Sequence, residues 1–301
     1  MKKLLNALTS FAGAERVRQD QPMDRYTSFR IGGPADILFL PETAEEIIMA
    51  QALANEDGVP VTIVGCGSNL LVSDEGIRGL VILLGKPFSH IEVQGNVIHA
   101  QAGARMSALA NAALSNGLAG LEFASGIPGS VGGGVYMNAG AYGGQLSDVI
   151  VEVEMIRDGM VVRVPAAEMD FGYRHSAAMD EGGLIVGATF ELRSGDPADI
   201  RALMDDLNGR RRDKQPLEYP SAGSVFKRPE GYFAGALIEQ AGLKGCRIGG
   251  AEVSEKHAGF IVNRGGATAK DVCDLVAHVQ HTVQEKFGVW METEIRFIGM
   301  E

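Results

Sequence analysis

The sequence predicts an α+β fold, and three observations along the chain support this assignment. Thr43-x-x-Glu46 has the spacing of a capping box, and the apolar residues after it predict a helix that ends at Gly58, before a buried strand at 61–64. The middle of the chain holds short β-patterned runs, two of which flank the hairpin signal Arg157-Asp158-Gly159. The last third returns to helices and ends in an alternating strand at 289–299. This mixture favours α+β over a doubly wound sheet.

Further helix signals complete the prediction. The helix from Met106 to Asn116 stops at Gly117, and Asp196-Pro197 begins another. A short helix is predicted near 233–241. Thr268-x-x-Asp271 caps a long helix that ends at Gly288. The apolar face predicted for the helix after Pro197 comprises Ile200, Leu203, Met204 and Leu207. From the changes in pattern we expect three modules, at 1–85, 86–195 and 196–301.

The composition is that of an ordinary globular protein, with 46% hydrophobic and 22% charged residues among 301. A net charge of −11 argues against nucleic acid or an anionic membrane as the general partner. The apolar run near the start is interrupted by Asn6, Thr9 and Ser10, which favours an amphipathic first helix over a signal peptide. Three cysteines without a C-x-x-C pair suit reduced thiols, so we expect a cytoplasmic protein. The histidine spacing predicts no metal site.

A dense run of glycines between Ser125 and Tyr142 is the most informative segment. Because glycine has no side chain, the backbone N–H groups of this segment are accessible, which predicts that they bind an anionic ligand. A set of tight turns is the alternative interpretation. The strand at 61–64 leads into a second glycine turn, Gly65-Cys66-Gly67-Ser68-Asn69. Neither segment matches the Rossmann or P-loop fingerprint. We therefore predict a dinucleotide held in another way.

Two charged features have unremarkable interpretations from sequence alone. Arg210, Arg211, Arg212 and Lys214 form a local basic cluster, in which Arg210 and Arg211 are interpreted as part of a solvated face. In the predicted last strand, side chains alternate between two faces, so Glu294 lies on the face opposite Met291 and Phe297. A carboxylate on the solvent-facing side of a strand is common and does not by itself indicate a function.

Seven ordered segments together resemble the UDP-N-acetylenolpyruvoylglucosamine reductase family, which belongs to the FAD-binding superfamily that includes vanillyl-alcohol oxidase. The segments lie at 26–36, 64–82, 125–143, 171–176, 220–229, 248–263 and 291–299. The region after Tyr173 carries no extra tyrosine-bearing loop, which resembles the compact branch of the family.

The resemblance implies a two-lobed FAD module of the vanillyl-alcohol oxidase type, followed by a C-terminal α+β substrate domain. FAD would be bound non-covalently, with its diphosphate at two glycine turns. The implied cofactor residues are Gly65, Cys66, Gly67, Ser68, Asn69, Leu70, Gly126, Ile127, Pro128, Gly129, Ser130, Gly133, Asn138 and Ala141.

The resemblance also implies the reaction. NADPH, as co-substrate, would reduce FAD, and hydride would then pass to C3 of the enolpyruvyl group of UDP-N-acetylglucosamine enolpyruvate. The implied catalytic residues are Arg174, Ser224 and Glu294. Without the resemblance, Ser224 would be an ordinary loop serine and Arg174 a surface ion pair. No obligate protein partner is evident.

The implied substrate-binding residues are Lys214, beside the substrate diphosphate, and Tyr173. Arg228 stands where many relatives have asparagine, and it could instead reach a uridine phosphate.

Two rival functions differ from this one. The first is another FAD-dependent carbohydrate oxidoreductase, and such enzymes often tether flavin through histidine; neither glycine turn contains one. The second is a nucleotide-sugar binding protein without turnover, against which the complete catalytic set argues.

Overall fold

The computed structural model describes residues 1–300, which form the predicted α+β fold. The described chain contains seven α-helices: α1 (Lys2–Ala12), α2 (Ala44–Glu56), α3 (Met106–Ser115), α4 (Val131–Tyr136), α5 (Pro197–Lys214), α6 (Ala234–Gln240) and α7 (Ala269–Phe287). Its strands are β1 (Val17–Pro22), β2 (Pro34–Phe39), β3 (Val61–Val64), β4 (Leu70–Val72), β5 (Ile77–Leu83), β6 (Ile91–Gln94), β7 (Val97–Gln101), β8 (Leu118–Ala119), β9 (Gly140–Ala141), β10 (Gly144–Gln145), β11 (Ile150–Arg157), β12 (Met160–Pro165), β13 (Leu184–Glu191), β14 (Arg193–Ser194), β15 (Arg247–Ile248), β16 (Ala251–Val253), β17 (Ile261–Asn263) and β18 (Arg296–Ile298).

Three sheets of three or more strands carry most of the β-structure. Their strand orders are β1-β2-β5-β3, β12-β11-β13-β7-β6 and β15-β16-β17. The middle sheet is antiparallel throughout, and its β11–β12 hairpin turns at Asp158 and Gly159, both with positive φ, as the sequence predicts. β3 and β5 are parallel, with Val61 opposite Leu80. β4 pairs in parallel with β18, so residues distant in sequence become neighbours.

The helix ends follow from local chemistry. The Thr43 side chain accepts a hydrogen bond from the Glu46 N–H at 3.2 Å, which caps α2. The Asp196 carboxylate accepts from the Ala198 N–H at 2.8 Å where α5 begins. α7 has a complete capping box and ends at Gly288, whose φ of 69° is left-handed. These predicted boundaries are confirmed.

Two sequence predictions about elements are wrong. Residues 289–295 do not form a regular strand, because the Glu294 N–H donates to the Val225 carbonyl and the Lys227 N–H to the Glu292 carbonyl, outside any sheet. Only 296–298 is a strand, and Phe297 is 37% exposed. Leu203, predicted on the buried face of α5, is 46% exposed and lines a surface cavity of about 530 Å³.

The chain divides into two compact units, each built from separate segments. Unit 1 comprises 1–19, 37–66 and 79–211, and unit 2 comprises 20–36, 67–78 and the residues from 212 onward. Unit 1 holds two hydrophobic clusters, one beneath α1 and α2 and one around α3 and the five-stranded sheet. Unit 2 holds one, between α6, α7 and the short strands. The predicted boundaries at 85 and 195 remain predictions.

Among the described residues, no helix is both long enough and apolar enough to cross a membrane. α1 buries Leu4, Leu8 and Ala12 on one face, which confirms the predicted amphipathic first helix.

Candidate functional site

Within unit 1, the start of the first glycine turn, at Gly65 and Cys66, meets the second glycine turn. A Cβ added to Gly65 would collide with the Ser130 hydroxyl, so the turn after β3 lies in close contact with the turn before α4. The Ser130 hydroxyl also hydrogen-bonds the Cys66 thiol. Gly67 has a φ of 60°, and its Cβ would collide with the Tyr26 carbonyl in unit 2. Gly67 is therefore required by the conformation and close approach of the backbone itself.

These turns present backbone donors that the protein does not use. The N–H groups of Cys66, Gly67, Ser68 and Asn69 donate no hydrogen bond to any of residues 1–300, and neither do those of Gly126 and Ser130. Backbone N–H groups of native proteins are nearly always paired. Consecutive unpaired donors on bare backbone are the arrangement that binds phosphate oxygens.

Part of the glycine run serves packing instead of a ligand. Residues 131–136 form the short helix α4. For this segment the sequence predicted either ligand contact or tight turns, and not a helix. A Cβ on Gly132 would lie 2.7 Å from the Ala102 Cβ, and one on Gly134 would lie 3.0 Å from the Met106 sulfur. Gly133 is exposed. Gly132 and Gly134 therefore serve helix packing, whereas Gly133 and the residues before α4 remain open to a ligand.

The other predicted cofactor residues near these turns vary in exposure. Pro128 is exposed, Ile127 packs against the hydrophobic cluster around α3, and the Gly129 carbonyl accepts the Met106 N–H at 2.9 Å. Ala141 belongs to the β9–β10 hairpin, and Leu70 begins β4.

Cys66 has a shielded thiol. Burial raises the pKa of this thiol above its ordinary value, against smaller opposing effects of the Arg105 charge and the Ser130 hydrogen bond. The thiol form therefore dominates at neutral pH.

Asn138 uses its side chain inside the protein. The residue is 2% exposed, its Nδ2 donates to the Gly172 carbonyl at 3.0 Å, and its Oδ1 accepts the Ser147 N–H at 3.0 Å. Ser176, fully buried, donates from its hydroxyl to the Tyr136 carbonyl at 2.8 Å. The bonds from Asn138 to Gly172 and from Ser176 to Tyr136 attach the segment 172–176 to the end of α4 on both sides of Arg174.

Arg174 lies on this attached loop with a positive φ of 55°. Its Nη2 donates to the Gly140 carbonyl at 3.3 Å, and its guanidinium lies 5.1 Å from the centre of the Tyr173 ring. Tyr173 itself is 56% exposed. The loop therefore holds a guanidinium and an exposed phenol side by side in unit 1.

Ser224 and Glu294 are neighbours in unit 2. The Glu294 N–H donates to the Val225 carbonyl at 2.7 Å, so the backbone places the two predicted catalytic side chains on adjoining segments. The Ser224 hydroxyl makes no hydrogen bond to the described chain and is half-buried. Asn69, from the first glycine turn, donates from Nδ2 to the Glu294 carbonyl at 3.0 Å. Within unit 2, that turn and this residue pair are thus directly joined.

Lys214 and Arg228 are both exposed. Lys214 is the last residue of α5, and its ammonium pairs with no carboxylate of residues 1–300. The guanidinium of Arg228 lies over the Phe233 ring at 3.9 Å, and its Nε donates to the Tyr232 carbonyl at 3.2 Å.

The interpretation of Arg211 as a solvated residue is wrong, whereas that of Arg210 is confirmed. Arg210 is exposed and pairs with Asp206 at 2.7 Å. Arg211 is half-buried and donates to the Gly126 carbonyl of the second glycine turn. Helical phase gives the signal that sequence reasoning overlooked, because Arg211 follows Leu207 by four residues and Met204 by seven, on the buried face of α5.

The comparisons with known proteins agree with this geometry. Residues 215–298 match the family model described as UDP-N-acetylenolpyruvoylglucosamine reductase, C-terminal domain, and residues 35–165 match an FAD binding domain model. A UDP-N-acetylenolpyruvoylglucosamine reductase of Pediococcus pentosaceus is 53% identical over 95% of this chain and 95% of its own length. One from Clostridium perfringens is 51% identical over 98% and 97%.

Solved structures show the same likeness. The crystal structure of UDP-N-acetylenolpyruvylglucosamine reductase from Thermus caldophilus superposes with a TM-score of 0.81 at 37% identity, covering 94% of this chain and 99% of that one. An alkyldihydroxyacetonephosphate synthase shares the fold, with a TM-score of 0.51 at 15% identity over 64% of this chain and 40% of its own.

Proposed function

Because the chain belongs to the UDP-N-acetylenolpyruvoylglucosamine reductase family and carries an FAD binding domain, we propose that it reduces UDP-N-acetylglucosamine enolpyruvate to UDP-N-acetylmuramate with NADPH. This reaction is a step of peptidoglycan precursor synthesis. The observation that supports the proposal most directly lies in unit 2. The Asn69 side chain of the first glycine turn donates to the Glu294 carbonyl, and the Glu294 N–H donates to the Val225 carbonyl next to Ser224.

The two glycine turns have the features that a dinucleotide requires. Their unpaired N–H groups at 66–69, Gly126 and Ser130 would hold the diphosphate of FAD without needing a net positive protein. Neither turn contains a histidine that could tether the flavin, which supports non-covalent binding. When bound, FAD accepts hydride from NADPH and supplies hydride to C3 of the enolpyruvyl group.

Ser224 supplies the proton at C2. Once C3 has gained hydride, C2 would carry carbanion character and would take a proton from the Ser224 hydroxyl, and water would then return a proton to the serine oxygen. A serine is a weak acid, but a strongly basic carbanion draws its proton when the hydroxyl is aimed at it. The hydroxyl has no competing hydrogen bond in the described chain, which leaves it available for this contact.

Arg174 and Glu294 manage the charge that develops beside C2. The substrate carboxylate is conjugated to C2 and gains negative charge in the enolate form. A guanidinium fixed by the Gly140 carbonyl lowers the energy of that charge, and the Glu294 carboxyl polarises the same centre.

Lys214, Tyr173 and Arg228 bind the UDP moiety in this proposal. Lys214 offers a point charge to the substrate diphosphate, and the absence of a carboxylate partner within 1–300 leaves that charge available. Tyr173 and the Arg228–Phe233 pair present exposed aromatic surface for the nucleoside.

The test is the absorption spectrum of the purified protein. We expect a bound flavin spectrum that bleaches under anaerobic NADPH and returns when UDP-N-acetylglucosamine enolpyruvate is added. A flavin that bleaches but is reoxidised only by other acceptors would indicate a different oxidoreductase. A protein that binds the sugar nucleotide without oxidising NADPH would indicate a binding protein.

A further inference from the structure

We propose that Arg211 binds the diphosphate of FAD, as a cation in a site otherwise built from backbone N–H groups. This inference rests on the FAD site proposed above. From the sequence alone, Arg211 is interpreted as part of a solvated face.

Arg211 reaches the second glycine turn from the buried face of α5. Its Nη1 donates to the Gly126 carbonyl, next to the unpaired Gly126 N–H. One turn earlier on the same helix, Asn208 donates from Nδ2 to the Ser125 hydroxyl at 3.2 Å. A Cβ on Gly126 would collide with the Asn208 side chain, so α5 and the turn lie in direct contact. The guanidinium is therefore held at the rim of the predicted phosphate turn.

The charge of Arg211 is not balanced inside the protein. No carboxylate of residues 1–300 pairs with it, and the Tyr142 hydroxyl is the one side chain that favours its charged form. Burial lowers the pKa of Arg211 from its ordinary value, although a guanidinium remains charged at neutral pH. Its neighbour Arg210, by contrast, pairs with Asp206. A half-buried charge without a carboxylate partner is destabilising unless an anion joins it.

A neutral donor would serve the Gly126 carbonyl equally well. Asn208 shows that α5 uses an amide for the adjacent contact with the same turn. Compared with an amide, arginine adds a positive charge and a planar set of donors, and both match phosphate oxygens. In a chain of net charge −11, a local cation at this turn also offsets repulsion between the protein and a dianionic diphosphate.

The experiment compares FAD affinity and stability of the flavin-free protein for four forms: wild type, Arg211→Gln, Arg211→Met and Arg210→Met. Arg211→Gln keeps a donor for Gly126 and removes the charge. We expect both Arg211 variants to bind FAD roughly 10- to 100-fold more weakly, as for loss of a charged hydrogen bond. Their flavin-free forms should melt at or above the wild-type temperature, because an unbalanced buried charge has gone. Arg210→Met should match wild type in both measurements.

Two results would overturn the inference. One is an Arg211→Gln affinity for FAD within twofold of wild type. The other is a flavin-free Arg211→Gln that melts well below wild type or does not fold, since this would assign Arg211 to the fold. A wild-type protein that binds no FAD would instead refute the proposed site itself, so the two failures are distinguishable.

Discussion

Ser224 is the residue whose removal separates the two halves of the proposed reaction. We expect Ser224→Ala to leave flavin reduction by NADPH nearly unchanged, because no proton from Ser224 is needed there. Reoxidation by the sugar nucleotide should slow by roughly 100-fold or more, the effect of losing a general acid. Stopped-flow absorbance of each half-reaction measures both rates.

The control for this change is Ser115→Ala, which removes an exposed hydroxyl from the end of α3. It should behave as wild type in both half-reactions. If Ser224→Ala reoxidised at the wild-type rate, Ser224 would have no role in proton transfer.

Lys214 allows the substrate to be tested apart from the cofactor. Lys214→Ala removes a charge proposed to contact the substrate diphosphate, so we expect the Kd for the sugar nucleotide to rise roughly 10- to 100-fold while FAD occupancy is retained. Titration calorimetry with the flavin-loaded protein measures this Kd. Lys270→Ala, which removes an exposed lysine paired with Asp274, is the matched control. Loss of flavin from Lys214→Ala would assign the lysine to FAD.

Single residues differed in how far the sequence alone could assign them. The roles proposed for Ser224 and Arg174 come from ordered motifs, since neither residue is distinctive by itself. Arg211 was misplaced because a run of four cations was judged by composition, whereas the phase of α5 decides which of them is buried. The engagement of the Asn138 side chain depends on Gly172 and Ser147, which no local pattern identifies.

At the scale of elements, α7 depends on its capping box. Asp271 accepts hydrogen bonds from the Thr268 and Gly250 N–H groups at 3.0 and 3.1 Å, and these bonds lower the pKa of its carboxyl. A folded-state pKa below the unfolded value gives stability that is present at neutral pH and lost as the pH falls through the folded pKa. We expect Asp271→Ala to reduce the free energy of unfolding by about 1 kcal/mol at pH 7.

Urea denaturation at several pH values measures this effect. The difference between Asp271→Ala and wild type should begin to shrink as the pH falls below the ordinary carboxyl pKa of about 3.9. It should disappear as the pH falls further, through the lower pKa of Asp271 in the folded protein. Asp274→Ala breaks an exposed pair with Lys270 on the same helix and should cost no more than about 0.5 kcal/mol. An equal loss for both variants would contradict a capping role.

The loop that carries Arg174 depends on Asn138 at one end. Asn138→Ala leaves the Gly172 carbonyl and the Ser147 N–H without their partner, so we expect a loosened loop, slower reoxidation by the sugar nucleotide, and retained flavin. Hydrogen exchange of residues 170–176, together with the half-reaction rates, measures the change. Asn116→Ala removes a similar amide bond at the exposed end of α3 and is the control. Unchanged exchange in the loop would refute this dependence.

Local sequence signals were sufficient to predict helices and turns whose ends are set by neighbouring residues. They were insufficient to predict strands that pair with segments far away in the sequence. The capping residues Thr43 and Thr268 and the turn at Asp158 act within a few residues, so the sequence determines them. The alternation at 289–299 was typical of a strand, but the backbone there bonds first to 225–227 and only then to β4. Periodicity records which side chains are buried and not which segment pairs with them.

For the whole molecule, FAD should act as a stabilising ligand that is not covalently attached. At a free concentration 100 times its Kd, a ligand of the folded state adds about 2.7 kcal/mol, which predicts a rise in melting temperature of several degrees. Calorimetry with and without added FAD measures it. Denaturation followed by filtration should release all yellow colour, and colour that stays with the protein would support a covalent carbohydrate oxidase.

The whole-molecule architecture was only partly predictable. The α+β class and the resemblance followed from ordered motifs across the chain. That unit 2 draws on 20–36 and 67–78 as well as on the C-terminal third was not predictable, because the decisive contacts join residues such as Leu70 and Arg296.

The parallel pairing of β4 with β18 has a consequence for the order in which the protein matures. During translation the first glycine turn emerges early, but its partner strand exists only after synthesis has reached Ile298. A pairing of such high sequence separation forms late and slowly. We therefore expect newly made chains to bind flavin only after β18 has paired with β4, so that the appearance of flavin colour would mark the completion of this pairing.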